Sequence, residues 1–224
     1  MKRNHQTNAA AFKRIELIVV LAVIAVLALV IVPQLRKARH RGGYVDSTSY
    51  LKQIGLAVRL WSEDHDGLPP SQISTNQGGA MEFVECGSVA RYFQVMSNEL
   101  GSAGNVRYML DKERKPATNW SMLEDDNISF FIVHEADRTV PELWLAGDRH
   151  LATNRVPLRP GLFTMPTNPV LSWTANLDVR EQGLCYADGH VEKPTSARLQ
   201  QSALNALRAY HDATSNSTFR LAIP

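Results

Sequence analysis

AAFKRIELIVVLAVIAVLALVIVPQLRK, residues 10–37, carries a single acid, Glu16, at the mouth of an uncharged apolar run. From Leu17 to Val32 every residue is Leu, Ile, Val or Ala. With Ile15 ahead and Leu35 behind, the run approaches the ~20 residues that span a bilayer as a helix, so the sequence predicts a membrane segment and not a core helix. A charged side chain at bilayer depth costs roughly 2.5 kcal/mol or more unless it is paired or near the interface. Glu16 therefore requires a partner.

Beyond this run lie about 190 residues, enough for one globular domain of ordinary size. The formal net charge of the 224-residue chain is only +2. Its basic residues flank the apolar run, with Lys2, Arg3, Lys13 and Arg14 before it and Arg36, Lys37, Arg39 and Arg41 after it. That distribution suits lipid headgroups and not nucleic acid. Equal basic clusters on the two sides leave orientation open, because the positive-inside rule reads a difference. Cys86 and Cys185 have no CxxC spacing, so neither a zinc site nor a redox motif is indicated. Two separate buried thiols are expected, with a disulfide as the alternative for an exported domain.

A secretory signal peptide would place small residues at a cleavage site after the apolar run. Here Pro33-Gln34-Leu35-Arg36 follows instead. A plain signal anchor leaves Glu16 unexplained. Ala11-Phe12-Lys13-Arg14-Ile15-Glu16 ahead of an apolar helix resembles the processing site of type IV prepilins and of the pseudopilins of type II secretion. The resemblance implies cleavage between Ala11 and Phe12 by a prepilin peptidase that also N-methylates the new terminus. Glu16 is then the acid four positions after that terminus, and Pro33 the helix-kinking proline twenty-one positions after it. The chain has Ala11 where the family usually has Gly, and Lys13-Arg14 where it usually has Thr-Leu. Under this reading the new α-amino cation of Phe12 is neutralised by Glu16 of the same or a neighbouring subunit, which makes the carboxylate a registration device for assembly.

Leu51, Ile54, Val58 and Trp61 recur at spacings of three and four, the pattern of one apolar helix face. A continuous helix from Phe12 to about Asp64, with Gly42-Gly43 as a weak point, would be about 80 Å long. It ends in the turn residues Asp66-Gly67-Leu68-Pro69-Pro70. Candidate strands are Val106 to Leu110, Ile128 to Val133 and Leu143 to Ala146. Asp188-Gly189 between the arms of Gly183 to Glu192 predicts a hairpin. Pro194-Thr195-Ser196 predicts a helix start, with Leu199, Ala203, Ala206 and Tyr210 on one face. Phe219 to Pro224 is expected as an edge strand or docked tail. Over most of its length this head is similar to a group of bacterial pseudopilin-like proteins, through Leu51-Lys-Gln-Ile-Gly-Leu-Ala, Trp61 to Pro70, Asn127 to Phe131, Leu145 to Arg149 and Ala187 to Val191. The similarity implies a pilin-like sheet on a long helix and no catalytic activity.

Glu63-Asp64-His65-Asp66 gathers acids around a histidine but lacks the D-x-[DN]-x-[DN]-G calcium frame, and a solvated helix end accounts for it. Asp188-Gly189-His190 suits a tight turn. His134-Glu135 and Asp148-Arg149-His150 flank expected strands. Some pseudopilins bind calcium near the C-terminus of the head; Asp178, Glu181 and Asp188 are the nearest acids here, without a matching ligand pattern. No GxSxG, HExxH, P-loop or dinucleotide turn occurs.

These readings converge on an α+β fold: a long N-terminal helix, membrane-spanning then amphipathic, packed on a small antiparallel head with a C-terminal helix. The expected divisions are a leader at 1–11, a transmembrane and assembly helix at 12–41, an amphipathic continuation at 42–65 and an exported head at 66–224. The expected protein is a non-enzymatic pilus-like filament subunit without cofactor or metal, serving protein secretion. Its expected partners are the prepilin peptidase, other pilin-like subunits and an inner-membrane assembly platform. It is expected to cross the inner membrane once, with its N-terminus cytoplasmic and its head periplasmic. The alternative is an anchored periplasmic binding domain that never polymerises.

Overall fold

The computed structural model describes Ile18, Val19, Ala22 and Val23, and residues 47–107, 111, 113–174 and 182–224. The chain forms two compact units, Met1–Tyr44 and Val45–Pro224. In the first, the four described residues are helical and exposed. Ala11, Phe12, Glu16, Pro33 and Gly42-Gly43 lie outside the described residues.

The second unit begins with helix α1, Ser47–Glu63, which buries Leu51, Ile54, Val58 and Trp61 as the three-and-four spacing predicts. The chain leaves it through Asp66 and Gly67, both at positive φ (54° and 80°). Short helices α2 (Met81–Glu85), α3 (Ala90–Val95) and α4 (Ser97–Leu100) follow. Among the described residues the strands that come next are β1 (Phe130–Val133), β2 (Trp144–Asp148), β3 (Leu151–Thr153), β4 (Val156–Pro157), β5 (Gly161–Thr164), β6 (Leu171–Trp173), β7 (Leu184–Tyr186), β8 (Val191–Glu192) and, after helix α5 (Ser196–Thr214), β9 (Arg220–Ile223). A six-stranded antiparallel sheet has the order β5-β9-β1-β2-β7-β8, and a three-stranded sheet the order β4-β3-β6.

α1 lies against β2 and β7 of the larger sheet. Its approach is set by Gly183, where a Cβ would stand 2.4 Å from Leu51 Cδ1 and 2.9 Å from Ser47 Oγ. Only hydrogen fits there. The aromatic layer runs from Tyr50 to Phe130 (centroids 6.5 Å) and from Phe131 to Trp144 (6.2 Å). It continues edge-on from Trp144 to Phe219 (6.1 Å) and from Phe219 to Tyr210 of α5 (6.3 Å). α5 is tied to the smaller sheet where Trp173 donates from Nε1 to the Pro194 carbonyl at 2.7 Å and from its backbone N–H to Ser196 Oγ at 3.2 Å.

Two expectations are corrected here. The long N-terminal helix on a small head is replaced: among the described residues α1 spans 17 residues and no long apolar helix occurs, while the head carries a six-stranded and a three-stranded sheet. The single-pass inner-membrane placement, with a cytoplasmic N-terminus and a periplasmic head, is likewise overturned by the finding that no helix among the described residues is long and apolar enough to cross a membrane. The physical reason lies in helix composition. α1 carries Lys52, Arg59 and Glu63, α5 carries Arg198, Arg208, His211 and Asp212, and each buries one face only.

At the level of single elements, Val106 belongs to a 3-10 turn, Ala103–Val106, whose start is capped by Ser102 Oγ accepting from the Gly104 N–H. Phe219 to Pro224 is not an edge: β9 pairs with β5 on one side and β1 on the other. The thiols are free, Cys185 buried as expected but Cys86 exposed, because it caps the five-residue helix α2 at the surface.

Candidate functional site

The hairpin β7–β8 turns through Asp188-Gly189, with Gly189 at φ 91°. The Gly189 N–H donates to the Tyr186 carbonyl (2.9 Å) and the Tyr186 N–H to that of His190 (3.0 Å). Asp188 Oδ1 accepts both the His190 backbone N–H at 2.9 Å and its ring Nδ1–H at 2.6 Å. His190 also stacks on Tyr186, centroids 4.0 Å apart and planes within 9°. With Nδ1 donating to Asp188, Nε2 carries the lone pair of the neutral ring. Burial pushes the Asp188 pKa up, but the His190 bonds and charge outweigh it and hold the carboxyl below its ordinary value.

On the α1 side of this turn lies a cavity of about 170 Å³. Val58, Arg59 and Ser62 come from α1, Ala136, Asp137 and Arg138 from the loop after β1, and Ala187 and Asp188 from the turn. Ser62 is fully buried, and its Oγ has no hydrogen-bond partner. Asp137 Oδ1 accepts from the Thr139 N–H and Oγ1–H, each at 2.8 Å. Arg59 faces Glu63 at 3.6 Å, beyond hydrogen-bond range.

On the other side is a wider groove of about 460 Å³, lined by Glu142, Tyr186, His190, Glu192 and Ser202 among others. Ser202 Oγ accepts from Trp144 Nε1 (2.8 Å) and shares a 2.7 Å bond with Tyr186 Oη. Its hydroxyl is engaged in holding α5 to the sheet, which gives it a structural role.

Asp148-Arg149-His150 is joined by two residues that sequence reasoning missed, Asp111 and Glu113. Arg149 Nε donates to Asp111 Oδ2 at 3.1 Å, and Arg149 also bonds Glu113. Burial alone would raise the Asp111 pKa, yet the hydrogen bonds and charge of Arg149 hold it below the ordinary value. Burial, and then the Arg149 charge, push the His150 pKa down, which favours the neutral ring. Asp111, Glu113 and His150 each bring a potential metal ligand within 4.8 Å of the others. Arg149 already supplies a cation to both carboxylates, so the arrangement is accounted for as an ion-pair network. Nothing in the sequence links Asp111 to Arg149: the fold brings Asp111 and Glu113 to the residue that follows β2.

His134-Glu135 meets Arg220 of β9. Arg220 donates from Nε to Glu135 Oε1 (2.5 Å), from its backbone N–H to Glu135 Oε2 (2.7 Å) and from Nη2 to His134 Nδ1 (2.9 Å). This pins β9 to the end of β1. His65 of the Glu63 to Asp66 cluster stacks on Trp61 at 3.6 Å and donates from Nδ1 to the Trp61 carbonyl at 2.7 Å, closing the end of α1. Asp178 and Glu181 lie outside the described residues, as do the expected processing and assembly residues Ala11, Phe12, Glu16 and Pro33. No family model, curated protein or solved structure matches the chain.

Proposed function

We propose that the chain is a non-enzymatic structural subunit, a pseudopilin-like protein cut between Ala11 and Phe12 by a prepilin peptidase and assembled into a pilus-like filament that serves protein secretion. The observation that carries the reading is the joint occurrence of Phe12, Glu16 and Pro33 at prepilin-like spacing around an apolar run. The amine of Phe12 and the carboxylate of Glu16 form a pair that neighbouring subunits satisfy in the assembled state, so the polar group fixes register. On α1, Leu56 and Leu60 are exposed one turn apart (57% and 45%), a surface suited to packing against another subunit or an assembly platform.

Intact mass and N-terminal sequencing of the protein from its own cells test the reading. A chain that starts at Phe12 and carries an extra methyl is the expected result; one that starts at Met1 refutes processing. Glu16→Ala is expected to abolish cross-linking between subunits and leave the thermal transition of the head unchanged. A second reading, a binding domain that does not polymerise, is favoured by the cavity beside Ser62, and under it Glu16→Ala is silent.

A further inference from the structure

We infer that the cavity between α1 and the β7–β8 turn is a binding site for a small zwitterion, a free α-amino acid with a short apolar side chain. Its volume of about 170 Å³ is comparable with the roughly 150 Å³ cavity known to admit benzene, so the occupant has about six to eight heavy atoms.

The charges in the wall fix the chemistry. Arg59 and Arg138 line the cavity together with Asp137 and Asp188, so the lining is formally neutral. Arg138 has no hydrogen-bond or ion-pair partner among the described residues, and Arg59 makes only the long 3.6 Å approach to Glu63. Both keep donors for a carboxylate, which a guanidinium binds through two parallel N–H···O bonds. Asp137 and Asp188 each use Oδ1 within their own turns, and each retains Oδ2 for an ammonium. A simple acid would leave the two aspartates uncompensated and a simple amine the two arginines; a zwitterion satisfies both. Val58, Ala136 and Ala187 leave room for a short aliphatic side chain and not an aromatic one.

The test is calorimetric titration of the full-length protein with L-alanine, L-valine and L-phenylalanine, with propionate and isopropylamine as single-charge controls. Saturable binding of alanine or valine, with phenylalanine and both controls at least about tenfold weaker, is expected. Arg138→Gln, on the exposed rim, is expected to weaken binding about tenfold, the loss of one charge-assisted hydrogen bond. Ala136→Leu fills the cavity and is expected to abolish binding with the near-UV circular dichroism retained. If that variant does not fold, Arg138→Gln decides. Absence of saturable binding, equal binding of propionate or isopropylamine, or unchanged affinity in Arg138→Gln overturns the inference. None of these outcomes depends on whether residues 1–11 are removed.

Discussion

Cys185 and Cys86 have the same side chain and opposite surroundings. Cys185 lies under α1, its Sγ 3.0 Å from where a Cβ on Gly55 would stand, and burial pushes its pKa up to about 12. Since the thiolate is the nucleophile, it is inert in the folded protein. Cys86 stands exposed at the end of α2. A disulfide reagent at neutral pH is expected to react quickly with one thiol per native chain and with the second only after denaturation, and Cys86→Ser should leave no fast thiol. Two fast thiols, or an internal disulfide on mild oxidation, contradict this assignment. The sequence carries both cysteines in similar polar-apolar contexts, and what separates them is tertiary: β7 is interior to its sheet, whereas α2 presents its last turn to solvent.

The seating of α1 on the sheet is the contact that holds the head's layers together, and Gly183 sets its depth. Gly183→Ala drives a methyl into Leu51 and Ser47, an overpacking expected to cost about 1–3 kcal/mol in urea denaturation. Leu51→Ala alone should cost about 2–5 kcal/mol. Together they should cost less than their sum, because the smaller side chain makes room for the methyl; strict additivity refutes the packing account. α1, the Asp188-Gly189 hairpin and α5 were legible in the sequence, since each has a clear signal: a helical stripe, a turn pair, and a cap at Thr195 ahead of a periodic run. The smaller sheet and β5 were not. β1 and β2 overlap the expected strands Ile128 to Val133 and Leu143 to Ala146 and are buried at every position. β3, β4 and β6 are two or three residues long. The site was legible only in part: the turn is local, but Ser62 and Arg138 reach it from elements 126 and 50 residues away from Asp188.

Over the whole molecule, acid sensitivity follows from carboxylates that folding makes more acidic. Hydrogen bonds from the Ser74 hydroxyl and then the Thr75 N–H bring Glu82 from the ordinary 4.5 to about 2. Glu113, through the Arg149 hydrogen bond, Asp111 and Glu135 are also lowered. In each case the unfolded chain binds protons first, so the stabilisation is fully present above the unfolded value and is lost as pH falls through the folded one. The melting temperature is expected to hold steady down to about pH 5 and fall between the ordinary 4.5 and about 2, with Glu82→Gln lowering it at neutral pH and flattening the acid limb. A melting temperature that does not change across that window contradicts the ion-pair account. The sheet order has a further consequence for how the molecule is made. Among the described residues β5 pairs in the larger sheet only with β9, which lies more than fifty residues later in the chain. During synthesis Gly161–Thr164 must wait without a neighbour, and β1 keeps a bare edge, until Arg220–Ile223 has left the ribosome. A chain that lacks Arg220–Ile223 leaves β5 without a neighbour in the larger sheet and β1 with a bare edge, the kind of unpaired edge that templates aggregation.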